Sequence, residues 1–278
     1  KQQTNNKQHT VYFANAGMFY PFQAAVLVFL FFCSAAGADG HDRGSAGLPK
    51  IIWSFWEGPN MPELVERCVR TWSLFAPDWR IEVLNSSAAA ELLGPEVRLR
   101  LADDSQEQTL QQLSEIVRLE LLAAYGGVWL DASIALTAPL QVWTHAADDG
   151  NTLVGFDLDF QALSSRDVNP LDGHWADHFH VNGSLIRRPW EGGDVSSRYM
   201  ESWAFAASAN SPAVALWRDE LRRARSTQGG LAGYCQQLER TPGAGEFLHP
   251  TLRSWLPYLS MHAALAQVRY LNPNLSIS

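Results

Sequence analysis

The stretch SEIVRLELLAAYGGVWLDAS, residues 114–133, decides the fold expected for this chain. Apolar side chains recur through and just before its first half at a spacing of about 3.6 residues, which predicts a helix with one buried face. Those side chains are Leu110, Leu113, Ile116, Val117, Leu121 and Ala124. Gly126 and Gly127 predict the end of that helix, and a strand over residues 128–136 is predicted to follow directly.

The same stretch groups four polar residues that suggest chemistry. The helix carries Glu115 and Arg118 about one turn apart, and the strand carries Asp131 and Ser133 on one face. Ligands of open α/β sheets bind at the carboxyl ends of strands. An acid, a hydroxyl and an arginine there suit a divalent cation that holds a phosphate. From spacing alone, a solvated Glu115–Arg118 ion pair and an Asp131 that merely ends a strand stay open.

Strand and helix signals alternate from Leu48 to the end of the chain. β-branched and aromatic runs predict the strands, and proline or glycine marks several ends. The predicted strands are 50–56, 79–84, 153–160 and 181–186, and the other predicted helices are 64–75 and one that starts at Ser211-Pro212. This alternation predicts one α/β domain over residues 48–278.

The composition excludes several classes of function. The 278 residues carry 21 Lys+Arg against 29 Asp+Glu, a formal net charge of −8, which argues against a nucleic-acid partner. Apolar residues make up 46% of the chain, enough for a large core. The three cysteines allow one disulfide at most, between Cys68 and Cys235, and form no CxxC pair.

The first 47 residues are expected to lie outside the α/β domain. Residues 1–17 are interpreted as a polar tail or as an artefact of the gene model. Residues 18–38 are apolar, and residues 39–47 are interpreted as a linker. The apolar run is interpreted as a cleaved signal peptide or a signal anchor, with a buried core segment as a third interpretation. We therefore expect a secretory protein, either a type II membrane protein of the Golgi or endoplasmic reticulum or a luminal or secreted one.

Several motifs together resemble those of one family. The run S-E-x-x-R-x-E-L-L-x-x-Y-G-G-V-W-L-D-A-S and the upstream 48–53 resemble the DXD-motif sugar transferases related to capsular polysaccharide synthesis proteins. That group includes eukaryotic mannosyltransferases and glucosylating bacterial toxins. The resemblance continues in the same order at 201–207, 211–212, 217–220 and 258–262. Four ordered matches are far more specific than any one of them.

The resemblance implies a GT-A-like fold and an enzyme. Its expected reaction moves a hexosyl group from a UDP- or GDP-sugar to a glycan or another hydroxyl acceptor, with retention of configuration. The sequence exposes no obvious nucleophile, so the resemblance favours attack on the front face, with the leaving phosphate as the base. A catalytically silent relative that binds a glycan or a nucleotide is the alternative.

The resemblance also assigns roles in the donor site. Asp131 matches the first aspartate of the DXD motif, and Glu115 and Arg118 are implied to contact the donor ribose and sugar. Trp53 and Tyr125 are implied to lie near the nucleotide base, and Ser133 is implied to lie near the donor sugar and diphosphate.

Further implied roles concern the metal and the downstream matches. Asp131, Ser133 and His262 are the implied ligands of Mn²⁺ or Mg²⁺, although Ser133 replaces the second aspartate of the motif and leaves metal dependence open. Glu201 and Trp203 stand where relatives place donor-site or acceptor-site groups, and core packing is equally open for Trp203.

Two other patterns offer weaker sites. Asp157 and Asp159 form a second D-x-D, interpreted mainly as a solvated strand face. His174, His178 and His180 suggest a zinc hydrolase, but the glutamate that zinc-binding helices carry after the first histidine is missing. The arginines at 222, 223 and 225 are interpreted as a solvated helix face.

Overall fold

The computed structural model describes residues 47–102, 109–149, 152–159, 198–241 and 260–277. Five strands form one mixed sheet. The strands are β1 Ile51–Phe55, β2 Arg80–Leu84, β3 Gly127–Leu130, β4 Val154–Asp159 and β5 Arg198–Ala207. The helices are α1 Glu63–Phe75, α2 Ser86–Leu93, α3 Pro95–Leu101, α4 Leu110–Tyr125, α5 Gln141–Thr144, α6 Pro212–Ser226, α7 Gly230–Arg240 and α8 Ser260–Leu271, with a 3-10 turn at His145–Asp149. An α/β fold is therefore confirmed.

The order of the strands in the sheet is β2-β1-β3-β5-β4. β1 pairs in parallel with β2 and β3, whereas β5 runs antiparallel to β3 and β4. The carboxyl ends of β1 to β4 consequently share one edge of the sheet, and β5 enters the sheet at that edge. We call it the carboxyl edge.

The helix that ends at two glycines is confirmed, with a capping box of Thr109 and Gln112 at its start. Gly126 and Gly127 have φ of 65° and 102°, where side chains are strained. A Cβ on Gly126 would lie 2.3 Å from the Ala209 amide nitrogen, and one on Gly127 would lie 2.6 Å from the Ile51 carbonyl oxygen. Glycine is thus required twice so that α4 can pass into β3 against its neighbours.

β3 is shorter than predicted, and this corrects the placement of two site residues. The strand ends at Leu130 instead of continuing to 136. The Asp131 amide still bonds to the Trp203 carbonyl at 2.8 Å, but the Ile134 amide then bonds back to the Asp131 carbonyl at 2.9 Å. That bond closes a turn, so the prediction that Asp131 and Ser133 share one strand face is wrong.

β5 is the strand that the sequence patterns did not predict. Gly155 of β4 pairs with Phe205, yet Asp157 pairs with Met200, so three extra residues of β5 bulge between these two pairs. A bulge of this kind breaks the two-residue alternation that marks a strand and redirects side chains at a sheet edge. It lies at 201–204, next to Asp131.

The sheet has an apolar core on each face. Trp53, Trp129 and Phe205 lie in the core beneath α4, α6 and α8, whereas Ile52, Trp72 and Val128 lie in the core beneath α1. The two described cysteines, Cys68 and Cys235, are buried and free.

The terminal predictions and some internal ones lie outside the described residues. They concern residues 1–17, 18–38 and most of the linker 39–47, the strand at 181–186 and the three histidines of the zinc hypothesis. The side chains of Asp157 and Asp159 are likewise not described. Among the helices that are described, none has the length and apolar character needed to cross a membrane.

Candidate functional site

Arg118 lies at the centre of the candidate site, and its side chain is only 5% exposed. Its Nε and Nη2 donate to the Ser114 carbonyl at 3.3 Å and the Ser114 hydroxyl at 2.9 Å. Its Nη1 donates to the Ser202 carbonyl in the β5 bulge. The guanidinium carbon is 4.9 Å from the centroid of the Trp129 ring. Because each of its three nitrogen atoms has a protein partner, Arg118 is fixed rather than free to reach out.

Asp131 pairs with that arginine and is the solvent-exposed member of the pair. Its Oδ1 lies 3.2 Å from Arg118 Nη2 and accepts the Trp129 indole N–H at 2.7 Å. Its side chain is nevertheless 33% exposed. Burial raises the pKa of Asp131, the Arg118 cation and the Trp129 bond oppose that rise, and the nearby Glu201 carboxylate adds to it. Asp131 is therefore a partly exposed carboxylate that is paired, on its buried side, with the Arg118 guanidinium.

Glu115 is buried beside the same arginine, one turn earlier in α4. The Ser260 hydroxyl of α8 donates to its Oε2 at 3.0 Å, and the Gln111 amide donates to its Oε1 at 3.3 Å. Burial raises the pKa of Glu115, whereas Arg118 and the Ser260 bond lower it. The solvated ion pair that spacing left open is wrong, because both side chains lie inside the protein.

Glu201 and His262 complete the site from β5 and α8. His262 Nε2 lies 3.7 Å from Glu201 Oε2. His262 Nδ1 is buried and has no hydrogen-bond partner in the part of the chain that the structure describes. Glu201 is also close enough to Asp131 to raise its pKa.

The structure therefore brings five of the predicted residues together from four chain segments. The Arg118 cluster, as we name it, consists of Glu115, Arg118, Asp131, Glu201, Ser260 and His262. Ser260 was missed by the sequence patterns, since a serine before a helix is an ordinary feature. Its position two residues before His262, inside the matched run 258–262, was the available signal.

Trp53 and Tyr125 lie elsewhere. Tyr125 precedes β3, whereas Asp131 follows it, so the strand separates the two by about 15 Å at ~3.3 Å per residue. The Trp53 indole is buried and donates to the Gly126 carbonyl at 2.8 Å. Tyr125 is 38% exposed, lies 5.6 Å from the Trp53 ring and donates to the Leu92 carbonyl at 3.0 Å. Their role near a base stays a prediction, but they do not join the Arg118 cluster.

Trp56 is an aromatic residue at the carboxyl edge that the sequence patterns passed over. Trp53 pairs with Trp129, so continuing this register places Trp56 one residue beyond the level of Asp131. Its amide bonds to the Leu84 carbonyl at 2.9 Å, which fixes it just past β1, and its side chain is partly exposed. The signal was its position at the end of the strand, directly before Glu57-Gly58-Pro59.

Trp203 and Ser133 were also predicted to contact the donor, and they lie near Asp131 in β5 and in the turn after β3. The Trp203 ring stacks on Phe156 with centroids 4.8 Å apart, and Phe156 lies 5.1 Å from Trp143. This packing agrees with the core interpretation, although Trp203 remains partly exposed. Ser133 lies in the turn after Asp131. Donor contact stays a prediction for both residues.

Comparison with known proteins gives the family. Residues 39–223 match the family model described as "Capsular polysaccharide synthesis protein", which is more than half of the chain. The chain belongs to this family. A curated relative, "O-glycosyltransferase braB" of Annulohypoxylon truncatum, is 24% identical over 168 residues, or 51% of this chain. The chain spans 38% of the length of that relative.

A solved structure is also similar. "PaToxG Glycosyltransferase" matches with a TM-score of 0.39 and 13% identity, covering 84% of this chain and 82% of its own.

The structure describes all three residues that the resemblance implies as metal ligands, Asp131, Ser133 and His262. Mg²⁺ binds through carboxylate oxygens, phosphates and water, and Asp131 shares its Oδ1 with a guanidinium and an indole N–H. Ser133 supplies a neutral hydroxyl, and His262 faces Glu201. No group of three potential metal-ligating side chains forms within the described ranges. The Mn²⁺ or Mg²⁺ expected from the resemblance stays a prediction.

Proposed function

We propose that this protein is a glycosyltransferase with a GT-A-like fold that transfers a sugar from a nucleoside-diphosphate sugar to a hydroxyl acceptor. Family membership supports the reaction class. One observation carries the proposal: a partly exposed carboxylate, Asp131, stands at the carboxyl edge of the sheet with a buried arginine fixed behind it. Ligands of open α/β sheets bind at this edge.

The partly exposed side of Asp131 faces the donor in this proposal. A carboxylate accepts hydrogen bonds from sugar or ribose hydroxyls, and a rigid one does so without having to be oriented during the reaction. Arg118 and Trp129 supply that rigidity, because they bond to the back of Asp131. Trp56, at the same edge, is a candidate to pack against the base in place of the distant Tyr125.

The transfer itself breaks the bond between the sugar and the diphosphate. We propose retention of configuration, with the acceptor oxygen entering on the face from which the diphosphate departs and its proton passing to a phosphate oxygen. Glu201 and His262 then line the acceptor side, because β5, which carries Glu201, lies on the opposite side of β3 from β1, and His262 is 3.7 Å from Glu201. The acceptor is a glycan or another hydroxyl compound.

The proposed function is tested first by binding and then by turnover. Thermal unfolding of the full chain is measured with UDP, GDP and their sugars, since a ligand at about 100 times its Kd adds about 2.7 kcal/mol. For a domain of this size, Tm should rise by roughly 5 to 10 °C. Release of UDP or GDP from the sugar that binds is then followed with and without added glycans. Folded protein that binds no nucleotide contradicts the proposal.

A silent binding relative is a second candidate, favoured by one observation. The negative charge of Asp131 is already compensated by Arg118 within the protein. Ser133 stands in place of the second acid of the motif. Such a relative would show the same shift in Tm but would release no nucleotide from any donor or acceptor. Turnover that Asp131→Asn abolishes would exclude it.

The compartment is a separate proposal. We propose that residues 18–38 direct the chain into the secretory pathway and leave the catalytic domain in the lumen. Protease protection of the full chain in isolated microsomes tests this, and digestion of the domain without detergent would contradict it.

A further inference from the structure

The start of α2 carries a short motif that sugar transfer by this chain does not use. Asn85-Ser86-Ser87 has the pattern Asn-x-Ser, which is the acceptor of N-linked glycans in the eukaryotic secretory pathway. Such triplets also arise by chance, so the motif counts only where the folded chain leaves room for a glycan. Two further triplets occur at 182–184, outside the described residues, and at 274–276.

Asn85 has a structural role that uses only half of its amide group. Its Oδ1 accepts the Ala88 amide at 2.9 Å and thereby caps α2. Asp or Ser would cap the helix equally well. The Nδ2 atom, to which a glycan is attached, bonds to none of the described residues. Because Asn85 is exposed, a glycan on Nδ2 leaves the cap intact and extends into solvent.

The rest of this motif is also accessible. Ser87, whose hydroxyl completes the motif, is exposed. Between the two, the Ser86 amide and hydroxyl donate to Glu57 Oε2 at 2.8 and 2.6 Å, which fixes the turn. The triplet at 274–276 differs, because the Ser276 hydroxyl shares a hydrogen bond with the Thr152 hydroxyl at 2.8 Å. Of the two described triplets, only the first therefore leaves both its amide nitrogen and its hydroxyl free of described partners.

The position of Asn85 in the fold separates it from the Arg118 cluster. β2 is the outermost of the five strands on one side of the sheet, and Asn85 directly follows it. β1 lies between β2 and β3, so Asn85 stands about 10 Å across the sheet from Asp131 at ~4.8 Å per strand. A glycan on Asn85 would start outside that cluster, at a sheet edge where a bulky polar group hinders pairing with another chain.

We propose that Asn85 is an N-glycan acceptor when this chain enters the secretory lumen. A membrane-bound transferase supplies the oligosaccharide as a lipid diphosphate. The bond between the anomeric carbon and the diphosphate breaks, Asn85 Nδ2 forms a bond to that carbon and loses one proton to solvent, and the lipid diphosphate leaves with the electron pair. The inference rests on the proposed compartment and goes beyond the proposed sugar transfer, because here the chain is the substrate.

Analysis of the full chain from microsomes tests the inference. The chain is expressed in eukaryotic cells, microsomes are isolated, and the protein is treated with peptide N-glycosidase, which converts a glycosylated asparagine into aspartate. Mass spectrometry of the peptide that contains residue 85 should show aspartate only after this treatment. An unmodified Asn85 in chain that is protected from protease overturns the inference and leaves the compartment standing. Digestion of the chain without detergent overturns both, whereas sugar transfer is judged separately by nucleotide binding.

Variants separate the motif from the cap. Asn85→Asp keeps an oxygen for the Ala88 amide and Ser87→Ala leaves the cap untouched, so both should fold and run faster on a gel by the mass of one glycan. Ser86→Ala is the matched control, because it removes a bond to Glu57 but keeps the pattern Asn-x-Ser, and it should retain the glycan. Equal gel mobility of the wild type, Asn85→Asp and Ser87→Ala would overturn the assignment to Asn85.

Discussion

Two arginine–carboxylate pairs each have one member on α4, at Arg118 and Glu120. The buried member is the arginine in one pair and the carboxylate in the other. Arg118 of α4 is the buried member of its pair, and its partner Asp131 is partly open. Glu120 of α4 is the buried member of the other pair, 6% exposed, and Arg222 of α6 covers it. Arg222 Nε and Nη2 donate to the two oxygens of Glu120 at 2.8 and 2.7 Å.

This difference distinguishes the candidate site, Arg118–Asp131, from a structural ion pair, Glu120–Arg222. In the Glu120–Arg222 pair, both carboxylate oxygens accept from a bidentate arginine that joins two helices, and the Glu120 side chain is only 6% exposed, so a ligand has little access to it. In the Arg118–Asp131 pair, the donors belong to the buried side and the open group is an acid. Both pairs join an arginine to a carboxylate, and they differ in which member is buried. Only the pair whose carboxylate is exposed offers an acid to a ligand.

The largest expected effect comes from the open acid. Asp131→Asn should lower the rate of sugar transfer by about 10² to 10³-fold, because a charged acceptor at the donor sugar is lost. Initial rates are normalised to the folded fraction from circular dichroism. Asp219→Asn, on the exposed surface of α6, is the control and should retain full activity. A variant of Asp131 with near-normal turnover would break the distinction between the pairs.

Removing one member of the Glu120–Arg222 ion pair should lower stability and leave activity unchanged. Arg222→Met leaves Glu120 buried without its partner and should lower the free energy of unfolding by about 3 kcal/mol, as expected for a buried pair that loses one member. Denaturant titration measures this change. Transfer by the folded fraction should be unchanged.

An exposed pair provides the reference for that measurement. Arg67→Met removes the partner of Glu63 on α1, where both side chains are largely exposed, and should cost less than about 0.5 kcal/mol. Equal losses for Arg222→Met and Arg67→Met would show that Glu120 is not a structural anchor.

The buried acid of the site should give a dependence on pH. The pKa of Glu115 is raised in the folded state, so its contribution to stability is full below the ordinary pKa of a glutamate and is lost as pH rises through the folded value. Glu115→Gln removes this loss, so its stability relative to the wild type should increase between pH 4 and pH 8. Each unit of raised pKa corresponds to about 1.4 kcal/mol.

Denaturant titrations of both proteins across that range measure the difference. Gln111→Ala, which alters a neighbour of Glu115 without removing the acid, should keep the pH dependence of the wild type. A stability difference between Glu115→Gln and the wild type that is constant with pH contradicts the raised pKa.

Among the residues of the Arg118 cluster, the smallest effect is expected at the α8 contact. Ser260→Ala removes one hydrogen bond to Glu115 and should cost about 1 kcal/mol in unfolding free energy. Ser260→Thr keeps the hydroxyl and should recover part of the loss. If Ser260→Ala is neutral, α8 is not held to the site through Glu115.

The sequence predicted a large part of this arrangement. Helix α4, its end at Gly126 and the strand after it follow from local periodicity and from the conformational freedom of glycine, which act within a few residues. Glu115 and Arg118 were candidates because they stand one turn apart on the helix, and Asp131 was a candidate because it was expected on the strand that follows. The family resemblance then favoured these residues over a solvated ion pair. Family motifs added Glu201 and His262, which no local pattern distinguishes.

Other features could not be predicted because they depend on distant neighbours. Residues 201–204 form a bulge, so β5 lacks a regular alternation. Arg222 belongs to a run of arginines that suggests a solvated face, and only the packing of α6 on α4 shows that it covers Glu120. Tyr125 and Asp131 are six residues apart in sequence, yet the intervening strand holds them at opposite edges of the sheet.

The sequence by itself determined the α/β class and the helix-glycine-strand unit, because these follow from interactions between near neighbours along the chain. The tertiary structure alone decided which side of each charge pair is buried. Burial depends on helices from the second half of the chain, α6 and α8, that pack against α4. Desolvation then sets the charge and the availability of each side chain, and no local pattern encodes it.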